Sequence, residues 1–208
     1  GDDRGIKMWD EEKMEELKKS LETYPTFEVV STEIAKKTKN PPLPLKTSTL
    51  QQLASSYLGF SASKTMRVAQ SLYEGLKIDG AQKGLITYMR TDSTRISEEA
   101  KGQAKEFIID KYGEKYIGKK KQKKTDDKKK IQDAHEAVRP TYIDLEPDNV
   151  EEYLNSDQYR MYKLIWERFI ISQLAPMEYD QFTLISGYDK YQFRGIVNKV
   201  TFDGYYKI

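Results

Sequence analysis

A proline-rich run near residue 41 strongly limits how this chain can fold. Residues 40–44 read Asn-Pro-Pro-Leu-Pro. Because proline has no amide hydrogen to donate, the run cannot continue a helix or lie inside a sheet. Before it, residues 27–35 carry Val29, Val30 and Ile34 in a strand-like pattern, and after it apolar residues recur at helical spacing. We therefore place a hinge or domain boundary at this run.

The middle of the chain is predicted to be helical and both ends to be rich in strands. Helical patterns cover residues 10–22, 48–58, 61–76, 97–111, 147–154 and 157–173. After Pro176 the pattern changes to strands at 179–188 and 191–198, with a hairpin expected at Asp203-Gly204. This layout predicts an α+β fold, in which a mainly helical domain is inserted into a β-rich domain built from both chain ends.

Two of the predicted helices are joined by the short turn Leu58-Gly59-Phe60-Ser61. Gly59 suits the left-handed end of the first helix, and Ser61 is a good N-cap for the second. The pair is a helix-turn-helix candidate, with Lys64 and Arg67 as the residues able to reach DNA phosphates, although spacing alone favours a simple packed helical hairpin.

Composition excludes several classes of protein without pointing to a partner. The 208 residues are 38% hydrophobic, enough for a core in one or two domains, and the net charge is only +2. The absence of cysteine excludes disulfides and thiolate metal sites. Neither a signal peptide nor a membrane span is indicated. The lysine-rich run at 118–130 is expected to be the least ordered segment, either a solvated loop or a mobile DNA contact.

The most chemically suggestive segment is residues 84–97, which read Gly-Leu-Ile-Thr-Tyr-Met-Arg-Thr-Asp-Ser-Thr-Arg-Ile-Ser. A phenol, a guanidinium and a carboxylate stand at every second position, as Tyr88, Arg90 and Asp92. In an extended strand these three side chains point the same way while Met89 and Thr91 face the other. A potential nucleophile, a cation and an acid then share one surface.

A second cluster follows about forty residues later and contains the single histidine of the chain. It reads Asp-Ala-His-Glu-Ala-Val-Arg-Pro-Thr over residues 133–141. Asp133 and Glu136 form a capping pattern, which predicts that His135 and Glu136 lie in the first turn of a short helix ending before Pro140. Such a turn attracts anions, so the two clusters together indicate a site that handles phosphate.

Both clusters closely resemble the active-site motifs of type IA DNA topoisomerases, in order and in spacing. The first resembles the stretch that carries the nucleophilic tyrosine of that family, and the second resembles its downstream Asp-Ala-His-Glu-Ala-hydrophobic-Arg-Pro-Thr signature. The resemblance extends from the prolines near Pro41 to the turn at Phe202-Asp203-Gly204-Tyr205. Met89 is more like the bacterial topoisomerase I branch than the topoisomerase III branch, where proline is usual.

The resemblance implies a 5′-phosphotyrosine link between Tyr88 and a cut DNA strand, so that supercoils relax without a nucleotide cofactor. A phenol with a pKa near ~10 is a poor nucleophile at neutral pH, so nearby positive charge is needed. Arg90 can supply it and can hold two phosphate oxygens. We hypothesise that Asp92 orients His135 and favours its charged form. Further DNA contacts are expected at Thr91, Ser93, Glu136, Arg139, Lys64 and Arg67.

The resemblance also implies parts that this sequence lacks. Type IA enzymes bind magnesium in an N-terminal toprim domain, and its acidic pattern is absent here, so we expect no metal site in this chain and no relaxation by the chain alone. Residues 1–46 and 176–208 are then the two parts of an arch-like β domain, and 47–175 is the tyrosine-bearing insert. The expected partners are single-stranded and negatively supercoiled DNA and the other domains of the protein, in a cytoplasmic, nucleoid-associated setting.

Two other functions fit part of the pattern. Tyrosine recombinases also combine tyrosine, arginine and histidine around a phosphate, but their tyrosine follows the other motifs and forms a 3′ linkage. The order in this sequence is the reverse. A non-catalytic helix-turn-helix module, in which Tyr88 merely packs or stacks on a base, is the other alternative.

Overall fold

A computed structural model describes residues 11–23, 26–118, 135–188 and 191–208, which form two compact units. One unit comprises Gly1–Lys37 and Tyr179–Lys199, and the other comprises Thr38–Glu178 and Val200–Ile208. We call them the sheet unit and the helical unit. The predicted α+β class is confirmed. Three predicted features lie outside the described residues: the lysine-rich run from residue 119 onward, the start of the predicted helix at Asp10, and the capping residue Asp133.

Helices dominate the middle of the described chain, and the longest strands lie towards its two ends. In chain order the elements are α1 (Glu11–Thr23), β1 (Glu28–Lys39), α2 (Thr47–Leu53), α3 (Ala62–Glu74), β2 (Leu76–Ile78), β3 (Ala81–Lys83), α4 (Glu98–Tyr112), α5 (Ser156–Gln173), β4 (Met177–Tyr188) and β5 (Tyr191–Phe202). A π-helical turn, Ala54–Leu58, extends α2, and short 3-10 turns occupy Glu114–Tyr116, Pro147–Asn149, Glu151–Tyr153 and Gly204–Lys207.

The larger sheet is three-stranded, with β4 between β1 and β5. Within the sheet unit Phe27 meets Phe193 edge to face, with ring centroids 5.2 Å apart. Val29, Val30 and Ile34 of β1 are all exposed, as are Ile196 and Val197 of β5. Among the described residues of this unit no apolar side chain is fully buried. The sheet unit therefore has little core of its own.

The helical unit contains the core, which is centred on α5 and the helices packed against it. Tyr162, Ile165, Trp166 and Phe169 of α5 are buried, as their helical spacing predicts. Tyr162 donates a hydrogen bond to the Leu145 carbonyl. Burial raises the pKa of the Tyr162 hydroxyl far above its ordinary value. This hydroxyl therefore stays protonated, because its anion would lie in an apolar interior.

The predicted helical hairpin is present, and its turn follows the expected chemistry. Gly59 ends the first helix in the left-handed conformation with φ of 70°. Ser61 caps α3 by accepting a hydrogen bond from the Lys64 amide. The first helix begins at Thr47, one residue before the predicted range of 48–58, and its N-cap is Lys46, whose amide donates to the Thr49 hydroxyl. In the described part of the chain, no helix is long and apolar enough to span a bilayer.

Two local predictions are wrong, and one element was not predicted. The expected helix over 147–154 is two separate 3-10 turns, because Val150 has a non-helical backbone and packs into the core. The hairpin expected at Asp203-Gly204 is instead a 3-10 turn, Gly204–Lys207. A hairpin that was not predicted joins β2 to β3 through Asp79-Gly80, both with positive φ. This dipeptide is a typical hairpin turn, and its strands are only three residues long.

Candidate active site

The segment that carries Tyr88 begins as buried backbone and ends as an exposed bend. Leu85 and Ile86 are buried, and Ile86 forms an isolated bridge with Pro140. From Tyr88 onward exposure alternates: Tyr88, Arg90 and Asp92 are exposed, whereas Met89, Thr91 and Ser93 are buried. The three polar side chains therefore lie on the solvent side, as the period-two pattern predicts.

The segment is nevertheless not a strand, which corrects the sequence prediction. Residues 89 and 90 form a bend, and the partner of this backbone is the first residue of α2 rather than another strand. The Thr47 hydroxyl lies 2.7 Å from the Met89 carbonyl oxygen and accepts from the Thr91 amide at 2.8 Å. The Thr47 amide donates to the Thr91 carbonyl at 2.9 Å. A single threonine thus holds the extended backbone without a ladder of strand hydrogen bonds.

From His135 onward the second cluster is extended and not helical, which corrects another prediction. The amides of Ala137 and Val138 donate to the carbonyls of Arg95 and Leu45, both at 2.8 Å. These long-range bonds replace the bonds a helix would make. Pro140 also disfavours helical backbone at the residue before it. His135 and Glu136 are therefore not in the first turn of a helix.

The two clusters lie side by side, joined through Thr87. The Thr87 amide donates to the Arg139 carbonyl at 2.9 Å. Its hydroxyl donates to the Ala137 carbonyl at 2.7 Å and accepts from the Arg139 amide at 3.0 Å. These bonds bring the Tyr88 and His135 rings together, with centroids 5.6 Å apart and planes tilted by 42°. Tyr88 remains 37% exposed.

Arg90 and Asp92 complete the exposed face of the bend. Among the described residues neither side chain has a hydrogen bond or an ion pair. The hydrogen bond expected between Asp92 and His135 is therefore not observed. His135 is placed by its contact with the Tyr88 ring and by the backbone of its own segment. The Arg90 guanidinium thus has no protein anion in the described chain competing for its donors.

Glu136 and Arg139 form a half-buried ion pair in the segment that carries His135. The Arg139 Nε and Nη2 atoms lie 2.8 and 2.6 Å from one Glu136 carboxylate oxygen. Burial acts to raise the pKa of Glu136. Hydrogen bonds from Arg139 and Ser97, with the Arg139 charge, outweigh burial and hold this pKa below its ordinary value. Arg139 also donates to the Pro140 carbonyl at 3.0 Å. Its donors are largely engaged inside the protein.

The remaining predicted DNA contacts are spread over different settings. Thr91 and Ser93 are buried. The Thr91 hydroxyl accepts a hydrogen bond from the Ser93 amide at 3.0 Å, and the Ser93 hydroxyl accepts one from the Arg95 amide at 3.1 Å. Lys64 pairs with Asp157 at 2.8 Å and lies over the Phe60 ring. Arg67 is exposed.

Lys64 and Arg67 belong to a part of α3 remote from Tyr88. Tyr73, which touches the Tyr88 ring, is in the last turn of that helix. Lys64 and Arg67 precede it by nine and six residues, about 13 and 9 Å along the helix axis at the usual rise per residue. The structure therefore places Tyr88 against His135, with Arg90 and Asp92 exposed on the same segment as Tyr88, and places Lys64 and Arg67 farther along α3.

Two residues of this site were not identified from the sequence. Thr47 braces the bend from 42 and 44 residues away, and Tyr73 meets the Tyr88 ring edge to face, with centroids 5.5 Å apart. Neither belongs to a motif around Tyr88 or His135. The only local signal was that Tyr73 falls in the last turn of a predicted helix.

The residues of the site do not fit a bound metal ion. Within the described ranges no three histidine, aspartate or glutamate side chains converge closely enough to hold one. The charged residue nearest to Tyr88 in sequence is the cation Arg90, which does not bind metal ions. The carboxylate next to His135 in sequence, Glu136, is already paired with Arg139. The chemistry that these side chains can supply is a phenol oxygen, a guanidinium and an imidazole at one exposed surface.

Comparison with known proteins identifies the family to which this chain is related. A family model described as DNA topoisomerase matches residues 2–208. The chain is 47% identical over 195 residues to DNA topoisomerase 1 of Thermotoga maritima, covering 93% of this chain and 31% of that protein. It is 42% identical over 201 residues to DNA topoisomerase 1 of Fervidobacterium islandicum, covering 93% and 28%.

The fold agrees with these sequence relationships. The solved structure of full-length topoisomerase I from Thermotoga maritima superposes with a TM-score of 0.82 at 42% identity, covering 98% of this chain and 32% of that one. The chain thus spans about a third of the length of its relatives. On its motifs, its fold and these matches, this chain belongs to the type IA DNA topoisomerase family.

Proposed function

We propose that the chain carries the nucleophile with which a DNA topoisomerase cuts and rejoins one DNA strand. The Tyr88 phenol gives up its proton, and its oxygen attacks a backbone phosphorus. The bond from phosphorus to the 3′ oxygen breaks, and that oxygen takes up a proton. The product is a phosphodiester between Tyr88 and the 5′ end of the strand. Attack by the freed 3′ hydroxyl reverses each step, so the strand is resealed without an energy source.

The observation that carries this proposal is the exposed Tyr88 ring lying against His135, on the face that also presents Arg90. A phenol attacks phosphate only where the developing negative charge is stabilised. Arg90 can donate two parallel hydrogen bonds to phosphate oxygens, and its donors have no partner among the described residues. His135 lies where it can exchange a proton with the phenol or bind phosphate.

Asp92 and the Glu136–Arg139 pair have supporting roles in this proposal. Asp92 stands two residues beyond Arg90 on the exposed side, where it can orient Arg90 or His135 once DNA is bound. Glu136 and Arg139 hold the His135 segment through their ion pair. The Thr91 and Ser93 side chains are buried and accept amide hydrogen bonds, so they support the bend rather than contact DNA directly. Arg67 and Lys64 bind backbone phosphates of a more distant part of the DNA.

The rest of the reaction requires other parts of a longer protein. We propose that residues 47–175 form an insert in an arch-like domain made from 1–46 and 176–208. Magnesium is held by a toprim domain outside this chain, and no step assigned to Tyr88 passes through it. Single-stranded regions of negatively supercoiled DNA are the substrate, in the nucleoid of the cytoplasm. The chain alone does not relax DNA, and magnesium-dependent relaxation by the purified chain would contradict this.

A graft into a complete relative tests the proposal. This chain replaces the matching part of the Thermotoga maritima enzyme, with which it is 47% identical. We call the product the grafted enzyme. It is mixed with single-stranded DNA labelled at either the 5′ or the 3′ end. We expect the 3′-labelled strand to become attached to protein and the 5′-labelled strand to be released as a shorter piece. Tyr88→Phe abolishes both products.

The alternatives give different products in the same assay. A recombinase-like reaction attaches the 5′-labelled strand instead, because its linkage is to the 3′ end. A non-catalytic binding module retains DNA reversibly and forms no adduct with either label. Tyr142→Phe, a change at another exposed tyrosine, serves as the matched control and leaves the adduct unchanged.

A further inference from the structure

The Tyr88 ring touches a second aromatic ring besides His135. Tyr73, in the last turn of α3, meets it edge to face, with centroids 5.5 Å apart and planes at 66°. Tyr73 is itself 41% exposed, so its ring is not simply a core side chain. Edge-to-face pairs are attractive and have a preferred geometry, because the positive edge of one ring faces the negative face of the other. The contact can therefore orient the Tyr88 ring.

The backbone around Tyr73 is fixed relative to the segment that carries Tyr88. The Leu85 amide donates to the Leu72 carbonyl at 2.8 Å. Gly84 lies so close that a β-carbon on it would be 2.6 Å from the Tyr73 carbonyl oxygen. The end of α3 and the start of the tyrosine segment are thus in direct backbone contact. The backbone that carries the Tyr73 ring is held by both of these contacts.

His135 is fixed in the same way from a different part of the chain. Thr87, next to Tyr88, bonds to the backbone of Ala137 and Arg139. Tyr73 and His135 therefore contact the Tyr88 ring from two elements, each hydrogen-bonded to the tyrosine segment. Met89 is buried directly after Tyr88 and anchors the backbone beneath it. The orientation of the Tyr88 ring is determined by its neighbours even though the ring is exposed.

We propose that Tyr73 is a positioning residue for the nucleophile: its ring holds the Tyr88 phenol in the orientation from which the oxygen attacks phosphorus in line. This inference rests on the proposed function. In-line attack is sensitive to the direction of approach, so restricting the phenol ring accelerates the step without adding a contact to DNA. The ring edge supplies this restriction and the Tyr73 hydroxyl does not. Phenylalanine at this position therefore suffices.

Two substitutions in the grafted enzyme separate positioning from DNA binding. Tyr73→Leu lowers the rate of adduct formation at saturating DNA between about two- and tenfold, the range expected for one aromatic pair, while Kd for DNA is unchanged. Tyr73→Phe retains the original rate. Tyr142→Leu is the matched control, since Tyr142 is 43% exposed, and it leaves both quantities unchanged. Equal losses in Tyr73→Leu and Tyr73→Phe, or a weaker Kd with an unchanged rate, would overturn the proposal.

A spectroscopic measurement tests the same contact without any reaction. With 3-fluorotyrosine incorporated only at position 88 of this chain, the fluorine NMR signal reports the ring environment. We expect it to move in Tyr73→Leu and to keep its position in Tyr73→Phe and Tyr142→Leu. An unmoved signal in Tyr73→Leu contradicts the inference. If Tyr88→Phe retains the DNA adduct, the proposed function fails instead, and the fluorine signal still reports whether Tyr73 orients the ring.

Discussion

The exposure of the Tyr88 ring depends on how its immediate neighbours are held. Met89 and Thr91 are buried on either side of the exposed Arg90, and the backbone between them is bonded to Thr47. The hydroxyl of this one side chain meets two carbonyls and one amide of the bend. Removing it leaves the Met89 carbonyl and the Thr91 amide without this partner, which is more costly than losing an exposed hydrogen bond.

Thr47→Val is therefore expected to weaken both the bend and the reaction. We expect the free energy of unfolding to fall by about 1–3 kcal/mol, measured by urea denaturation of the chain. The rate of adduct formation by the grafted enzyme falls as well, because Tyr88 to Asp92 lose their common orientation. Thr141→Val, a change at an exposed threonine, is the control and is close to neutral. Equal stability of the two variants would show that Thr47 does not brace the bend.

The Glu136–Arg139 pair predicts a specific dependence of stability on pH. Because the pKa of Glu136 is lowered on folding, its ionised form stabilises the folded state above the ordinary value of 4.5. That contribution is lost as pH falls through the folded pKa. The stability difference between the original chain and Glu136→Gln is then largest above pH 4.5 and shrinks in more acidic solution.

Urea denaturation at a series of pH values measures this difference. Glu106→Gln, at an exposed position in the middle of α4, is the matched control. We expect its stability difference to be small and nearly independent of pH. A Glu136→Gln difference that grows as the solution becomes more acidic would contradict the proposed pairing.

The spacing of residues along the sequence predicts which side chains of one segment are exposed. It does not predict which residues of distant segments contact them. The alternation of Tyr88, Arg90 and Asp92 with buried neighbours follows from period-two geometry, which the sequence displays. The brace from Thr47 and the ring contact from Tyr73 depend on which distant segments meet. No pattern near Tyr88 encodes those pairings, so only the structure identifies these two residues.

Between elements, close backbone packing joins α3 to the segment that carries Tyr88. Both glycines that flank the β2–β3 hairpin take part. A β-carbon on Gly75, which has φ of 98°, would lie 2.8 Å from the Lys83 carbonyl carbon. A β-carbon on Gly84 would lie 2.6 Å from the Tyr73 carbonyl oxygen. The hairpin can therefore turn back onto the end of α3 only without side chains at these positions.

Gly84→Ala tests this packing. The added methyl group meets backbone that cannot move aside, so we expect a loss of about 1–3 kcal/mol in the free energy of unfolding. Adduct formation also falls, as Tyr73 and Tyr88 are pushed apart. The matched control is Gly102→Ala in α4, where a β-carbon meets nothing within 4 Å. That change is expected to raise stability slightly through helix propensity. A neutral Gly84→Ala would contradict the close packing.

Long amphipathic helices were predicted well, and short elements were not. The helix expected at 157–173 is observed as Ser156–Gln173. Its long run of apolar residues at helical spacing can be buried on one side only if the segment is helical. The helix expected around His135 is absent, since a cap and a few residues are outweighed by the long-range bonds of Ala137 and Val138. Short segments adopt whatever backbone their neighbours require.

Taken over the full chain, the two units differ sharply in how much apolar surface they bury. Every fully buried apolar side chain of the described residues belongs to the helical unit. The strands of the sheet unit expose several valines and isoleucines. Since burial of apolar surface is the main source of stability, the sheet unit of this chain is expected to be the less stable of the two.

Hydrogen exchange followed by mass spectrometry measures this difference. We expect amides of β1 and of residues 179–188 to exchange well before those of α5, whose inner face is buried throughout. If the strand amides were protected from exchange as strongly as those of α5, the sheet unit would not be the less stable of the two. The free chain and the grafted enzyme are compared, so that any protection contributed by the rest of the protein is measured separately.

Tyr88 is, in the proposed reaction, the residue that becomes joined to DNA. Mass spectrometry of the adduct formed by the grafted enzyme, after digestion with nuclease and trypsin, locates the joined residue. Trypsin cleaves after Lys83 and Arg90, so Tyr88 is the single tyrosine of the peptide Gly84–Arg90. We predict a nucleotide linked through its 5′ phosphate on this peptide, and none in Tyr88→Phe. An unmodified Gly84–Arg90 peptide, with the nucleotide on another residue, would show that Tyr88 is not the nucleophile.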